Sequence, residues 1–201
     1  MMRRTLPSLA PSSDPVRTIV LWCPDWPITA ALRTATASAS AIASGSGGGG
    51  GGGSGGDSLT LDTPLALIEA GLVFACSATA RREGVRRGFR LREAQARCPE
   101  LRVLDYDQAV DIRAFEPVLD VIEETMPGAQ LLRPGTCAVR ARGPARYYGG
   151  EEEAALWLLD ALDTLGIHGS RVGIADGPFT AEHAARSPQR QRIRIAETLM
   201  E

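Results

Sequence analysis

The sequence predicts an α+β fold, a helix-backed antiparallel sheet interrupted by one small, largely helical insertion. Short apolar, β-branched runs alternate with longer stretches of helical periodicity, as in "RTIVLWC" before "WPITAALRTA" and "RVGIA" before "DGPFTAEHAAR". A Gly/Ser tract at 38–58 separates the first strand and helix from the rest, and an Arg-rich stretch broken by Gly84, Gly88 and Pro99 follows it. The 201 residues suffice for one substantial domain, or for one domain carrying an inserted subdomain.

The elements follow in order. Residues 1–16, rich in Pro and Ser, read as a disordered arm. Residues 17–37 give a buried strand ending near Pro24, then a helix with Pro27 at a favourable first-turn position. The tract 38–58 has too little apolar surface to order itself and reads as a flexible loop. Within 59–104, "PLALIEAGLVFACS" is a hairpin turning at Ala70 and Gly71, and "ATARREGVRRGFRLREAQARCPEL" forms short helices joined by tight turns.

Residues 105–186 open with a helix carrying Val110, Ala114, Val118, Val121 and Ile122 on one face, with Pro117 as a kink. "AQLLRPGTCAVRARG" reads as strand, Pro-Gly turn, strand. "GGEEEAALWLLDALDTLG" is the clearest helix, with acids in its first turn and Gly166 placed to end it. A strand and a last helix complete this part, and 187–201 is an atypical tail with no assigned element. The order matches a ferredoxin-like sheet.

All 22 basic residues are Arg, so no Lys is available as phosphate clamp, general acid or Schiff-base nucleophile. The net charge of -2 argues against an all-round basic nucleic-acid binder, yet the charges come in blocks. Residues 81–97 set seven Arg against Glu83 and Glu93, whereas 101–124 set seven acids against Arg102 and Arg113. Each block fits a solvated helix face, and the alternation also fits one local phosphate-facing surface. Cys23, Cys76, Cys98 and Cys137 show no C-x-x-C pairing, and His168 and His183 do not supply zinc spacing. No apolar run reaches the ~18 residues of a membrane span and no signal segment follows the first arginines, which makes cytoplasmic the expected location.

Three stretches together resemble the Y-family (UmuC/DinB-like) translesion DNA polymerases. "ARREGVRRGFRLREAQARCPEL" is similar to that family's finger signature: A-R, G-V, G-(M/F)-x-x-x-E-A, then C-P-x-L. "RVGIADGPFTAEHAA" resembles its S-V-G-I-A-x-N-K-x-L-A-K-x-A-S palm segment, and "RTIVLWCPDWPITAAL" its opening strand. The resemblance covers 17–186 and implies a polymerase palm at 17–37 and 105–186, with a fingers-like subdomain inserted at 59–104.

Phosphoryl transfer needs two divalent ions held by carboxylates from adjacent strand ends. The resemblance places those ligands at Cys23, Pro134 and Gly135, so neither metal nor any other cofactor is expected. Asp25 survives two residues after Cys23, at an acidic position of the family that is not its main ligand, and residues 129–149 contain no acid to compensate. Of the family's triphosphate clamp Arg81 remains, with Ala78 where a Tyr stands. Arg81, Arg82, Arg86, Arg87 and Arg90 are the candidates for contacting DNA or nucleotide, against the alternative of a solvated face.

The pattern is similar to the ImuB branch, Y-family homologues without polymerase activity. That likeness implies a non-enzymatic role in DNA repair and damage-induced mutagenesis, as an adaptor or weak DNA-binding module. Its implied partners are DNA, an error-prone polymerase and a RecA-like protein. The sliding clamp is not expected among them, because the chain ends about one helix after "GIA" without the family's tail. Two other readings stay open: a residual metal-dependent nucleotidyltransferase built on Asp25, and a nonfunctional remnant.

Overall fold

The structure, a computed structural model, describes residues 16–44, 59–60, 62–188 and 191–196. The expected N-terminal arm, apart from Val16, and the glycine tract from residue 45 onward to 58 lie outside the described residues.

A five-stranded sheet is built around β1 (Arg17–Trp22), with β6 (Thr136–Arg140) on one side and β7 (Arg171–Asp176) on the other. β1 is antiparallel to both, with Trp22 opposite Thr136 and Arg171. β5 (Gln130–Arg133) forms one edge and β8 (Ile193–Ile195) the other, giving the order β5-β6-β1-β7-β8. Alternation along β1 sorts its side chains between two layers. Ile19 and Leu21 enter the main core with Cys137, Val139, Val172 and Ile174, whereas Val20 faces Ala138, Ala175 and Ala181.

Three helices close the main core: α1 (Trp26–Ser44), α4 (Gln108–Thr125) and α6 (Glu151–Thr164). α4 contributes Phe115, Val118 and Ile122, and α6 contributes Ala154, Ala155, Leu158 and Leu162. Asp107 caps α4 by accepting from the amide of Ala109 at 2.8 Å, and Pro117 lies within the helix without ending it. The opposite face of the sheet carries α7 (Pro178–Arg186). Gly173 makes that packing feasible, since a Cβ there would stand 2.0 Å from the carbonyl oxygen of Ala181.

The insertion pairs two short helices with a three-stranded sheet in the order β3-β2-β4. β2 (Leu65–Glu69) and β3 (Leu72–Cys76) form the expected hairpin, with Ala70 and Gly71 at φ of 50° and 77°. β4 (Arg102–Asp105) joins β2 in parallel, a pairing absent from the largely helical expectation because its partner lies far back in the chain. α2 (Ala78–Arg82) starts at Ser77, whose Oγ accepts from the amide of Ala80 at 3.2 Å, and α3 (Leu91–Arg97) follows. Its own core holds Ala66, Ile68, Val73, Ala80, Val85 and Ala94. Ile28 and Leu32 of α1 pack on Leu65 and Leu67 of β2, so α1 is the wall shared by both parts.

Three boundaries differ from the sequence expectation. α1 runs to Ser44 rather than yielding to a loop at 38, because the Ala-rich "TASASAIAS" retains helix propensity. Residues Arg142–Tyr148 form a short helix, α5, where a strand was expected to run out. The tail supplies β8, parallel to β7, and Arg192 pairs with Asp163 at 2.7 Å to fasten it onto α6.

Candidate functional site

At the end of β1, the β5–β6 turn of the main sheet faces β3 and α2 of the insertion across a cleft of about 480 Å³. Trp22, Trp26, Pro27, Phe74, Tyr106 and Pro134 give it aromatic and apolar walls. Arg81, Arg86, Arg87, Arg133 and Arg186 also line it, against the carboxylates of Asp25 and Asp111. A larger cavity of about 890 Å³ beside α1 has Arg33 as its one charged lining residue among the described residues, and Arg33 is engaged on the carbonyl of Leu165 at 2.9 Å. The chemistry is concentrated in the smaller cleft.

Cys23 leaves β1 beneath this cleft, 3% exposed, and its amide donates to the carbonyl of Gly135 at 2.8 Å. Burial pushes its thiol up to about 11, with Ser170 Oγ, 3.5 Å away, offsetting this only in part. The group is therefore neutral near pH 7. Pro134 and Gly135 form the β5–β6 turn, with Gly135 at φ 82°. A Cβ on Gly135 would stand 2.4 Å from Cβ of Trp26, so no side chain fits at this position. Trp26 is locked in turn: its indole packs edge-on against Phe115 at 4.8 Å, and its Nε1–H donates to the carbonyl of Asp111 at 3.1 Å.

Asp25 occupies the junction between β1 and α1 at φ 54°, a left-handed conformation that Asp tolerates better than most residues. Its carbonyl accepts from the amides of Ile28 and Thr29, starting α1, while its carboxylate reaches across to the insertion. Arg81 on α2 grips it with both Nη atoms, at 2.8 and 2.5 Å, and Nη1 also donates to the carbonyl of Cys76 at 2.6 Å. The pairing raises the Arg81 pKa further.

The other predicted arginines separate. Arg86 and Arg87 line the cleft, Arg87 with its guanidinium 4.8 Å from the Phe74 ring centroid. Arg82 and Arg90 do not line it; Arg82 donates to Thr79 Oγ1 at 3.0 Å, and Arg90 stands at the start of α3. Two arginines that sequence reasoning missed, Arg133 and Arg186, enter from the main sheet side and share Glu182, at hydrogen-bonding distance from each. Arg186 also lies 5.4 Å from the Trp22 ring centroid. No local pattern marks either one, because the first ends an edge strand and the second ends a helix.

Asp111 was also missed. It is 4% exposed in the first turn of α4, accepts from Tyr106 Oη at 3.1 Å, and has its pKa raised chiefly by burial. Burial and Asp111 together push Tyr106 up to about 12, and its ring stacks on Phe74 at 3.7 Å.

Main sheet, insertion and cleft give a mixed α/β fold similar to that of polymerase palm domains. The chain belongs to the impB/mucB/samB family, whose model matches residues 57–186. Its fold is shared with an insertion ternary complex of Dbh DNA polymerase at a TM-score of 0.65 and 12% identity, over 90% of this chain and 48% of that one. DinB from Sulfolobus solfataricus superposes at 0.61 and 13% identity, over 90% of this chain and 48% of that one. The chain thus spans about half the length of the solved structures it matches. No match was found among curated proteins.

Cys23, Pro134 and Gly135, to which the sequence resemblance assigns the ligands of divalent ions, carry no side chain that fits such an ion. A buried neutral thiol, a proline and a glycine offer no side-chain oxygen, and both carboxylate oxygens of Asp25 accept from Arg81. Among the described residues no group of three or more His, Cys, Asp or Glu side chains is arranged to hold a metal ion.

Proposed function

We infer that this chain is a non-catalytic, polymerase-like palm-and-fingers module that binds the phosphate backbone of DNA weakly and serves a DNA-repair assembly as an adaptor. The observation that supports this is the packing at the two places to which the resemblance assigns metal ligands: Trp26 occupies the space a side chain at residue 135 would need, and Cys23 is buried at the end of β1. Arg86 and Arg87, with no carboxylate partner among the described residues, supply the cationic surface. Solved relatives are ternary and post-insertion binary complexes of a DNA polymerase, which agrees with DNA as the ligand. Resemblance to the ImuB branch supports damage-induced mutagenesis as the setting, with an error-prone polymerase and a RecA-related protein as partners.

Fluorescence anisotropy with single-stranded and primer-template DNA across a salt series tests the binding. Arg86→Ala with Arg87→Ala should weaken affinity for every sequence alike and flatten the salt slope by about 0.7–0.9 per lost phosphate contact. Unchanged affinity and slope would refute it. The rival reading, residual nucleotidyl transfer, requires Asp25 to leave Arg81 and recruit further carboxylates.

A further inference from the structure

The main sheet ends at β8, and its outer edge is open. β8 is held to β7 by the carbonyl of Arg192, which accepts from the amide of Val172 at 2.7 Å, and by the amide of Ala196, which donates to the carbonyl of Ile174 at 2.8 Å. Peptide groups alternate in direction along a strand, so Ile193 and Ile195 turn theirs away from the sheet. Among the described residues nothing pairs with them, which leaves a template for one more strand.

Beside this edge lies a groove of about 410 Å³ between α6 and β8, which shares no lining residue with the arginine cleft. α6 runs antiparallel to β8. Asp163 near the helix end holds Arg192 at 2.7 Å, whereas Arg17 joins Glu151 at the helix start to the carbonyl of Ala196, each at 2.9 Å. Glu152, Leu156 and Asp160 line the groove as one i, i+4, i+8 stripe. Leu156 is 49% exposed and Ile195 42%, and the carboxylates of Glu152 and Asp160 have no hydrogen bond or ion pair among the described residues. From Glu152 to Asp160 the helix rises about 12 Å, close to the ~13 Å spanned by three alternate residues of a strand. A strand laid on β8 therefore presents successive same-face side chains to an acid, a leucine and an acid.

We propose that the β8 edge takes one extended segment of a partner protein, whose residues on the α6 side run basic, apolar, basic at alternate positions. Main-chain hydrogen bonds to Ile193 and Ile195 hold the segment, and the stripe of Glu152, Leu156 and Asp160 selects it. Charge rules against a second copy of this chain as the occupant. Pairing β8 with β8 about a twofold axis would bring the acidic stripes of both α6 helices to face each other, and like charges repel.

The test is nuclear magnetic resonance titration of the isotope-labelled whole chain with a capped peptide, Thr-Arg-Thr-Val-Thr-Arg-Thr. Saturable shifts at the amides of Ile193 and Ile195 are the expected result. Glu152→Arg combined with Asp160→Arg changes only exposed positions, and a cooperative melt checks that the variant folds. It should weaken binding roughly tenfold or more, since two attractions become repulsions. The same peptide with Glu in place of Arg should bind the double variant better than the natural chain. N-methylation separates strand addition from loose charge attraction: methyls on the Arg and Val amides block one edge of the peptide, and methyls on the Thr amides between them block the other. One pattern should abolish binding and the other should not. No saturable shift, equal affinity in the double variant, or an equal effect of both methylation patterns would overturn the proposal. So would a free chain that dimerises in sedimentation equilibrium and is dissociated by excess peptide, because a second copy would then fill the groove.

Discussion

Arg81 and Asp25, 56 residues apart in the chain, form a bidentate ion pair that ties the start of α1 to α2 of the insertion. Their side chains are 37% and 38% exposed, so water and salt discount the attraction. A double-mutant cycle with Asp25→Asn and Arg81→Gln should return a coupling of about 0.5–1 kcal/mol in urea unfolding at low ionic strength, shrinking as salt is added. A coupling of several kcal/mol would mean that the pair is a main structural tie rather than a screened surface contact.

Gly135 is constrained twice, by its positive φ and by Trp26. Gly135→Ala should destabilise the chain by roughly 3 kcal/mol, combining left-handed strain with overpacking. Trp26→Ala would relieve only the crowding, at the cost of a large core cavity. Thermal or urea unfolding of Gly135→Ala with an unchanged midpoint would show that the turn yields more readily than the packing implies.

Cys23 links stability to alkaline pH. Its thiol ordinarily titrates near 9.0 and is pushed up to about 11 in the fold. The unfolded chain therefore releases this proton first as pH rises. The contribution is fully present below pH 9, declines between about 9 and 11, and is lost above the folded value. Cys23→Ala should flatten that part of the stability profile. All four cysteines are buried, and a thiol reagent near pH 8 should label them only after denaturant is added.

Asp111 behaves in the same sense at the acid end. Burial raises its pKa above 3.8, so its contribution is fully present below pH 3.8 and is lost as pH rises through the higher folded value. Asp111→Asn retains an acceptor for Tyr106 and should be at least as stable as the natural chain at pH 7, its relative advantage shrinking in acid. Asp111→Ala leaves the Tyr106 hydroxyl without its partner and should be the less stable of the two.

Much of the fold was legible because its signals are local. β1, the Pro-Gly hairpin, α6 and β7 each carry a clear period bounded by a turn residue or acidic first turn. β4 was not legible, since four residues paired in parallel with a distant strand have no signature of their own. β8 was hidden for the same reason, and the end of α1 was obscured by Ser residues that lower, without abolishing, the propensity of an Ala-rich helix. Arg81, Arg86 and Arg87 belonged to a visible basic block, yet only folding separates them from Arg82 and Arg90. The Asp25 partner, the buried Asp111 and the approach of Arg133 and Arg186 are tertiary facts, written in no spacing.

The most direct test of the central claim is primer extension by the purified chain with magnesium or manganese, run beside Asp25→Ala. The proposed non-catalytic reading predicts no extension by either protein. Extension by the natural chain that survives purification and disappears in Asp25→Ala would contradict it, by placing a working metal site where the structure puts a thiol, a proline and a glycine.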